Sequence, residues 1–484
     1  MLATLFDKTK PGARAIGFPK GKIHPSQKIP SHLLRKTPPG LPEVTELEVV
    51  RHFTKLSQLN YSVDTNFYPL GSCTMKYNPK ACFRLAFHGA FSERHPLLPA
   101  WAIQGTLKAL KDFENALLEI TGMDALTLAP AAGAHAELAG LLVTRAYFQN
   151  RGEIPQRKKI IIPDSAHGTN PASAALAGFE VVTIKSNARG RVNIEELKKH
   201  LNETAAMVMI TLPNTLGLFE DEISEIARLA HQAGVQMYMD GANMNALMGI
   251  AKPGNLGFDV MHLNLHKTFS VPHGGGGPGA GVLLVKRHLD DFLPVPRIIE
   301  KNGQLQIEEA HPKSIGRIRS FHGSTANLLW SAAYVALLGK EGVLEASKGA
   351  ILNANYLRVL LKEAGLTPFS DEPCMHEAVF TIDPKKLNGV RTLDIAKRLL
   401  DFKFYAPTIY FPLIVPEAIM VEPTETETPE TLEEFASAVK TILQEARTTP
   451  ETVKTAPHTL PVKRIDDVTA ARNPVISWQP SRDQ

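Results

Sequence analysis

Six short apolar runs, each closed by turn residues, constrain the fold of this chain more than any other feature. They are Lys159–Pro163, Phe179–Lys185, Met207–Leu212, Gln236–Asp240, Val260–Leu265 and Val282–Val285. Runs of this length, rich in β-branched and apolar residues, read as buried strands. Several are separated by helical patterns, as in Ile223–Ala233, where Ile223, Ile226, Leu229 and Ala230 fall on one stripe. Alternating β and α at this spacing predicts an α/β domain with a mostly parallel sheet, whose ligands lie beyond the carboxyl ends of the strands. The pattern places this large domain at residues 100–330. A long helical signal through Ser331–Ala364, closed by Gly365, opens a smaller C-terminal α+β domain over 331–450. Its last helix begins at Thr428-Pro429-Glu430, an N-cap, a first-turn proline and an early acid, and Leu432, Phe435, Val439 and Ile442 give it a buried face. Residues 1–99 are expected to be an N-terminal arm and segment, and 451–484 an extended tail held by Val475, Ile476 and Trp478. The first 45 residues carry seven prolines, Pro11, Pro19, Pro25, Pro30, Pro38, Pro39 and Pro42.

Composition serves mainly to exclude. The chain has 484 residues, room for two to four domains, with 53 Lys+Arg against 49 Asp+Glu and a net charge of +4. That balance, without basic clusters, gives no reason to expect nucleic acid. The longest apolar stretches, such as Ala205–Leu212, fall far short of the ~20 residues that span a bilayer, so no membrane is expected. Met1–Phe6 runs directly into Asp7, Lys8 and Lys10, unlike an export signal. Three cysteines (Cys73, Cys82, Cys374) without a CxxC pair make neither a disulfide framework nor a zinc ribbon. A cytoplasmic location is expected.

The densest chemical signal is Asn264-Leu265-His266-Lys267-Thr268-Phe269, followed by Gly274-Gly275-Gly276-Gly277-Pro278-Gly279. A lysine closing a buried strand suits imine chemistry with a carbonyl compound, because partial desolvation favours its neutral amine. A surface lysine opening a flexible loop explains the segment equally well. Gly274, Gly276 and Gly279 also satisfy G-x-G-x-x-G, but a dinucleotide fingerprint must precede a helix, and Val282–Val285 reads as a strand. Asp240 ends a strand 27 residues before Lys267. A buried carboxylate there could keep a pyridine nitrogen protonated, whereas its plain alternative is a turn former before Gly241. His167, in Pro163-Asp164-Ser165-Ala166-His167-Gly168-Thr169-Asn170-Pro171, could stack on a planar ring or be a satisfied loop histidine. Ala131-Ala132-Gly133-Ala134-His135 precedes a helical run over Ala136–Phe148, and small residues there leave N–H groups free for an anion. A tight turn would look the same. His262 and His266 read as buried core histidines, with no metal site in view, and Cys73 as a small buried thiol. Glu422, Glu425 and Glu427 read as a solvated acidic stretch.

These strings together resemble the P-protein family of the glycine cleavage system, specifically the second subunit of its two-subunit bacterial form. The resemblance runs from Pro69-Leu70-Gly71-Ser72-Cys73-Thr74-Met75-Lys76 to Ala456-Pro457-His458-Thr459. It includes Asp164–Ala172, Pro213–Glu220, Met239–Asn243, Leu263–Gly279, Cys374–Glu377 and Glu422–Glu427. It implies a fold-type-I transferase-like architecture and pyridoxal 5'-phosphate as cofactor. By resemblance Lys267 is the Schiff-base lysine, Asp240 the acid on the pyridine nitrogen and His167 the ring-stacking histidine. Lys267 and His167 are the residues expected to move protons. Ala132, Gly133 and Ala134 match the phosphate loop, while Thr215, Ala242, Asn243 and Thr268 match positions near the cofactor. The implied reaction is glycine decarboxylation with transfer of the aminomethyl group to lipoylated H-protein. A homologous subunit 1 is the implied partner, in a heterotetramer of two subunit types. His135 and Ala136 replace an expected Gln and Gly, and His322-Gly323-Ser324-Thr325-Ala326 replaces a Gly-Asn-Phe-Gly string. Two other readings stay open: a different fold-type-I enzyme, such as an amino acid decarboxylase or cysteine desulfurase, and a cofactor-free structural subunit.

Overall fold

The structure, a computed structural model, describes residues 3–17, 30–37, 39–274, 277 and 279–476. Pro19, Pro25, Pro38, Gly275, Gly276, Pro278 and Trp478 lie outside the described residues. The chain divides into two compact units, Asn66–His458 and a smaller one formed by Met1–Thr65 with Thr459–Gln484. In the smaller unit the helix Glu46–Ser57 starts at a capping box. Thr45 Oγ1 accepts from the Glu48 N–H, and the Glu48 carboxylate accepts from the Thr45 N–H.

The larger unit is built on seven strands: β1 (Ala125–Thr127), β2 (Lys159–Pro163), β3 (Glu180–Ile184), β4 (Ala205–Thr211), β5 (Gln236–Asp240), β6 (Val260–Asn264) and β7 (Gly281–Val285). Their order is β1-β7-β6-β5-β4-β2-β3. The β6-β5-β4-β2-β3 run is parallel, and β7 is antiparallel to both β6 and β1. The mostly parallel sheet expected from the six apolar runs is present, and each predicted strand matches an observed one within about two residues. The short β1 was not foreseen, three residues being too few for a periodic signal.

Parallel strands covered on both faces should lack polar positions, and all seven residues of β4 are buried. The pleat divides them between two cores. Val208, Ile210, Met237, Met239, Met261, Leu263, Val282 and Leu284 join the cluster that includes the helix Ile223–Gln232. Met207, Met209, Tyr238, Val260, Leu283 and Val285 pack with the helix Gly133–Asn150. Two rigid layers thus hold the carboxyl ends of β2, β4, β5 and β6 side by side.

A hairpin, β8 (Arg297–Lys301) and β9 (Gln304–Glu308), follows β7. A helical stretch over Thr325–Ala364 then leads to a four-stranded antiparallel sheet. Its strands are β10 (Thr367–Pro368), β11 (Ala378–Thr381), β12 (Thr408–Ile409) and β13 (Ile419–Val421), in the order β10-β11-β13-β12. The long stretch is interrupted at Gly339 (φ 61°, ψ −172°) and ends at Gly365, whose φ of 113° suits a glycine cap. The predicted helix start at Thr428-Pro429 holds: Thr428 Oγ1 accepts from the Thr431 N–H and opens the helix Pro429–Thr448. Among the described residues no helix is long and apolar enough to cross a membrane.

Candidate active site

Parallel register sets the centre of the site. Asp240, the last residue of β5, lies opposite His262 of β6. Its Oδ1 is 3.2 Å from His262 Nε2 and accepts the Ala242 N–H at 2.9 Å. His262 Nδ1 is 2.8 Å from the Tyr238 hydroxyl, a residue two positions earlier on β5. The hydroxyl donates to Nδ1, so Nε2 carries the hydrogen shared with Asp240. Burial alone would raise the Asp240 pKa, but His262, the Ala242 N–H, Asn170 and Lys267 together hold it below the usual value.

A second acid completes the group. Asn170 Nδ2 donates both to Asp240 Oδ2 (3.1 Å) and to Glu137 Oε2 (3.0 Å), linking the helix Thr169–Leu176 to the helix Gly133–Asn150. One ligand atom each from Glu137, Asp240 and His262 lies within 4.8 Å of the others. Burial, and then the Asp240 charge, push Glu137 up to about 7, so the pair holds one proton while Asp240 stays ionised. This sign has a consequence for stability. Between the ordinary value of 4.5 and about 7 the folded chain binds the Glu137 proton and the unfolded chain does not. Stability from this group is therefore greatest at acid pH and declines as pH rises through that window. Urea midpoints measured from pH 4.5 to 7 should decline less steeply in Glu137→Gln than in the unaltered protein.

Lys267 follows β6 in a turn closed by its own N–H on the Asn264 carbonyl at 3.1 Å. Its side chain lines a cleft shared with Ala134, His167, Thr215 and Asp240, and Ala242 and Asn243 line it too. The cleft lies beyond the carboxyl ends of β2, β4, β5 and β6, as the sheet topology predicts. His167 is exposed at the cleft. Its Nδ1 accepts the Thr169 N–H at 3.2 Å, and its ring meets Phe411 edge-on at 5.5 Å. Burial of the nitrogens and the nearby Lys267 lower its pKa against the pull of Asp240, leaving a neutral, flat ring. Thr215 Oγ1 donates to the Ser165 carbonyl at 2.5 Å, fixing the loop after β4 to the loop after β2.

Ala132, Gly133 and Thr268 do not line the cleft directly. Ala132 is the N-cap of the helix Gly133–Asn150, and that end has no side-chain cap. A Cβ on Gly133 would lie 2.2 Å from the Asn264 side-chain amide, so glycine here leaves that amide in its place at the end of β6. His135 Nδ1 accepts the Ala131 N–H at 3.1 Å, which gives the unexpected histidine a use in shaping the loop. Thr268 is buried, with its hydroxyl unpartnered and its carbonyl accepting from Lys76 Nζ at 2.9 Å.

Sequence reading missed much of the opposite wall. Ser72, Glu137, Thr169, Thr211, His262 and Asn264 also line the cleft. Glu422 is the clearest correction: expected in a solvated acidic stretch, it is fully buried just after β13. Its carboxyl group accepts the Thr74 N–H at 3.0 Å and lies 2.5 Å from the Thr74 hydroxyl. Glu425 is paired with the buried Lys76 at 2.6 Å. An acid cluster near a helix start looks solvated when its partners stand about 350 residues earlier. The signal available was the loop Gly71–Lys76, which has no packing period and whose Ser72 (φ 60°) and Thr74 (φ 46°) occupy left-handed backbone.

The sequence profile of the glycine cleavage system P-protein matches residues 15–403, and that of the glycine dehydrogenase C-terminal domain matches 346–463. The chain belongs to the glycine cleavage P-protein family. Among P-proteins it is 54% identical over 477 residues to a probable glycine dehydrogenase (decarboxylating) subunit 2 of Caldanaerobacter subterraneus subsp. tengcongensis, covering 98% of both chains. A Thermotoga maritima protein of the same description is 51% identical over 477 residues, covering 98% of this chain and all of that one. The fold resembles a crystal structure of glycine decarboxylase (P-protein) in inhibitor-bound form, with a TM-score of 0.72 and 22% identity over 85% of this chain and 93% of that one. It also resembles a cysteine desulfurase from Thermococcus onnurineus, with a TM-score of 0.62 and 13% identity over 79% and 95%. The P-protein chain therefore has the fold-type-I architecture expected from its strings.

Proposed function

We propose that this chain decarboxylates glycine with pyridoxal 5'-phosphate and passes the aminomethyl group to the lipoyl arm of H-protein. It works beside a homologous subunit 1, in a cytoplasmic heterotetramer of two subunit types. Membership of the P-protein family and relatives described as subunit 2 support the glycine reaction and a two-subunit enzyme. The observation that carries the reading is the convergence of Lys267, an ionised Asp240 and an uncapped helix end on one cleft.

The residues present fit the cofactor. Lys267 supplies the amine that would hold its aldehyde carbon. Asp240, fixed by His262 and Asn170, would keep a proton on the pyridine nitrogen. His167 offers an open ring face for stacking. The N–H groups from Ala132 to Ala134, at a helix N-terminus, suit a phosphate. Buried oxygens of Thr211 and Asn264, both on the cleft lining and without partners, offer further polar contacts there. When bound, the cofactor accepts the electron pair that departing carbon dioxide leaves behind. Lys267 and His167, which share the cleft, are the groups we assign to proton transfer with the substrate.

A cysteine desulfurase needs a mobile, reactive thiolate. Burial pushes the thiols of Cys73 and Cys82 up, and that of Cys374 to about 12. The three are therefore poor nucleophiles. Borohydride reduction followed by peptide mapping, with and without subunit 1, tests the assignment: a pyridoxyl group should appear on Lys267 and nowhere else. Asp240→Asn should keep that label yet slow glycine-dependent release of carbon dioxide about 10²-fold, because the ring nitrogen loses its anionic partner.

A further inference from the structure

A pair of buried carboxyl groups stands behind the cleft wall. Glu377, just before β11, and Glu422, just after β13, are both 0% exposed. Together with His376 they each place a ligand atom within 4.8 Å of the others. Lys267, Lys76, Glu425 and Cys73 are the other charged or titratable groups that act on the cluster.

Donor counting separates the two acids. Glu377 Oε2 accepts the Ser72 N–H at 2.7 Å, and its Oε1 accepts Asn243 Nδ2 at 3.2 Å. The Asn243 amide cannot be turned round, because Nδ2 also donates to the Pro213 carbonyl at 2.9 Å. Both Glu377 oxygens thus face N–H donors, the arrangement a carboxylate needs. Glu422 has an N–H donor on Oε2 alone. Its Oε1 meets the Thr74 hydroxyl at 2.5 Å, a group able to accept. His376 Nε2 lies 3.8 Å from the same Oε1, and both of its ring nitrogens are buried without partners. Burial and the positive neighbours keep this imidazole neutral, so one of its nitrogens is an acceptor. An acid proton on Glu422 Oε1 has the Thr74 hydroxyl as an acceptor at 2.5 Å, whereas each Glu377 oxygen already faces an N–H donor and the nearest hydroxyl, that of Ser72, stands farther off at 3.4 and 3.5 Å.

We propose that Glu377 as a carboxylate and Glu422 as a carboxylic acid form a mixed pair of positioning residues that holds Ser72 and Asn243 on the wall of the Lys267 cleft. Ser72 and Asn243 both line that cleft. Ser72 and Thr74 occupy left-handed backbone, and the two carboxyl groups take the N–H groups that this backbone turns inward. Burial raises both acids, and the Glu422 charge adds to the rise of Glu377, which reaches about 8 against about 7 for Glu422, so the pair keeps a proton near neutral pH. Its place on Glu422 follows from the donors and acceptors around each oxygen, and the importance of the wall rests on the function proposed above.

Two glutamine variants test the assignment, because glutamine copies a protonated acid. In Glu422→Gln the amide donates to the Thr74 hydroxyl and still accepts the Thr74 N–H. In Glu377→Gln an NH₂ group is forced against an N–H donor. The infrared difference between the unaltered protein and Glu422→Gln, without cofactor at pH 7, should contain the C=O band of a buried protonated carboxyl and no carboxylate bands. With subunit 1 and H-protein present, Glu422→Gln should release carbon dioxide within about threefold of the unaltered rate. Glu377→Gln should be slower by about tenfold or more, the effect of one unsatisfied buried donor. Carboxylate bands in the Glu422→Gln difference spectrum, or the reverse ranking of the two variants, would overturn the proposal. If the unaltered protein releases no carbon dioxide, the functional reading fails, while the infrared difference still decides the charge state of the pair.

Discussion

Alanine at position 267 should lower glycine-dependent release of carbon dioxide by about 10³-fold or more, even with subunit 1 and lipoylated H-protein in excess. The size of the loss follows from the position of the amine. Lys267 shares its cleft with Asp240 and His167, and no other lysine lines that cleft among the described residues. Lys76, buried nearby, cannot substitute. Its Nζ is already committed to Glu425, Asn245, Tyr334 and the Thr268 carbonyl. Lys267→Ala should also fail to acquire a pyridoxyl group on borohydride reduction. A variant that kept the native rate would remove this lysine from the chemistry.

The largest expected effect on stability belongs to Lys76 itself. Its side chain is 1% exposed and its four partners lie between 2.6 and 3.2 Å. Burial opposes the charge, but Glu425 and the Tyr334 hydroxyl outweigh that penalty and leave the ammonium firmly protonated. Lys76→Met keeps the length of the stem and strips the charge, stranding the Glu425 carboxylate. Breaking a buried pair in this way costs about 3–5 kcal/mol. Denaturant midpoints should fall accordingly. The double variant Lys76→Met with Glu425→Gln should recover part of the loss, because the stranded charge is then removed as well. If the double variant were as unstable as the sum of both single changes, the pair would not be coupled.

How much of this was legible beforehand depends on where the partners of each residue lie. Lys267, Asp240 and His167 stand at strand ends, where a charged or titratable residue after a buried run is hard to explain by packing. Parallel topology then predicts that they meet. The wall facing them follows a different logic. Ser72 reads only as part of the string Pro69–Lys76, Glu377 as part of Cys374–Glu377, and Glu422 as solvent-facing, because each takes its meaning from a contact that no period or motif encodes. Glu137 was hidden for a simpler reason. A glutamate within a helical run is ordinary, and only the register of β5 against β6, with Asn170 between, shows that it faces Asp240. Resemblance to the P-protein family supplied the strings that contain Ser72, Asn170, Glu377 and Glu422, but neither Glu137 nor the hydrogen bonds that join them.

The same wall has a consequence for the order of synthesis. Ser72 is separated from Glu377 by 305 residues, Thr74 from Glu422 by 348 and Lys76 from Glu425 by 349. Contacts of such range close late, since the whole intervening chain must be ordered or tethered first. As the polypeptide leaves the ribosome, Asp240 at the end of β5 and Lys267 in the turn after β6 emerge well before β13 can pin the loop Gly71–Lys76. A nascent chain halted before residue 419 would carry the reactive amine with its retaining wall unbuilt. The finished cleft thus reports that translation has reached the last strand of the small sheet.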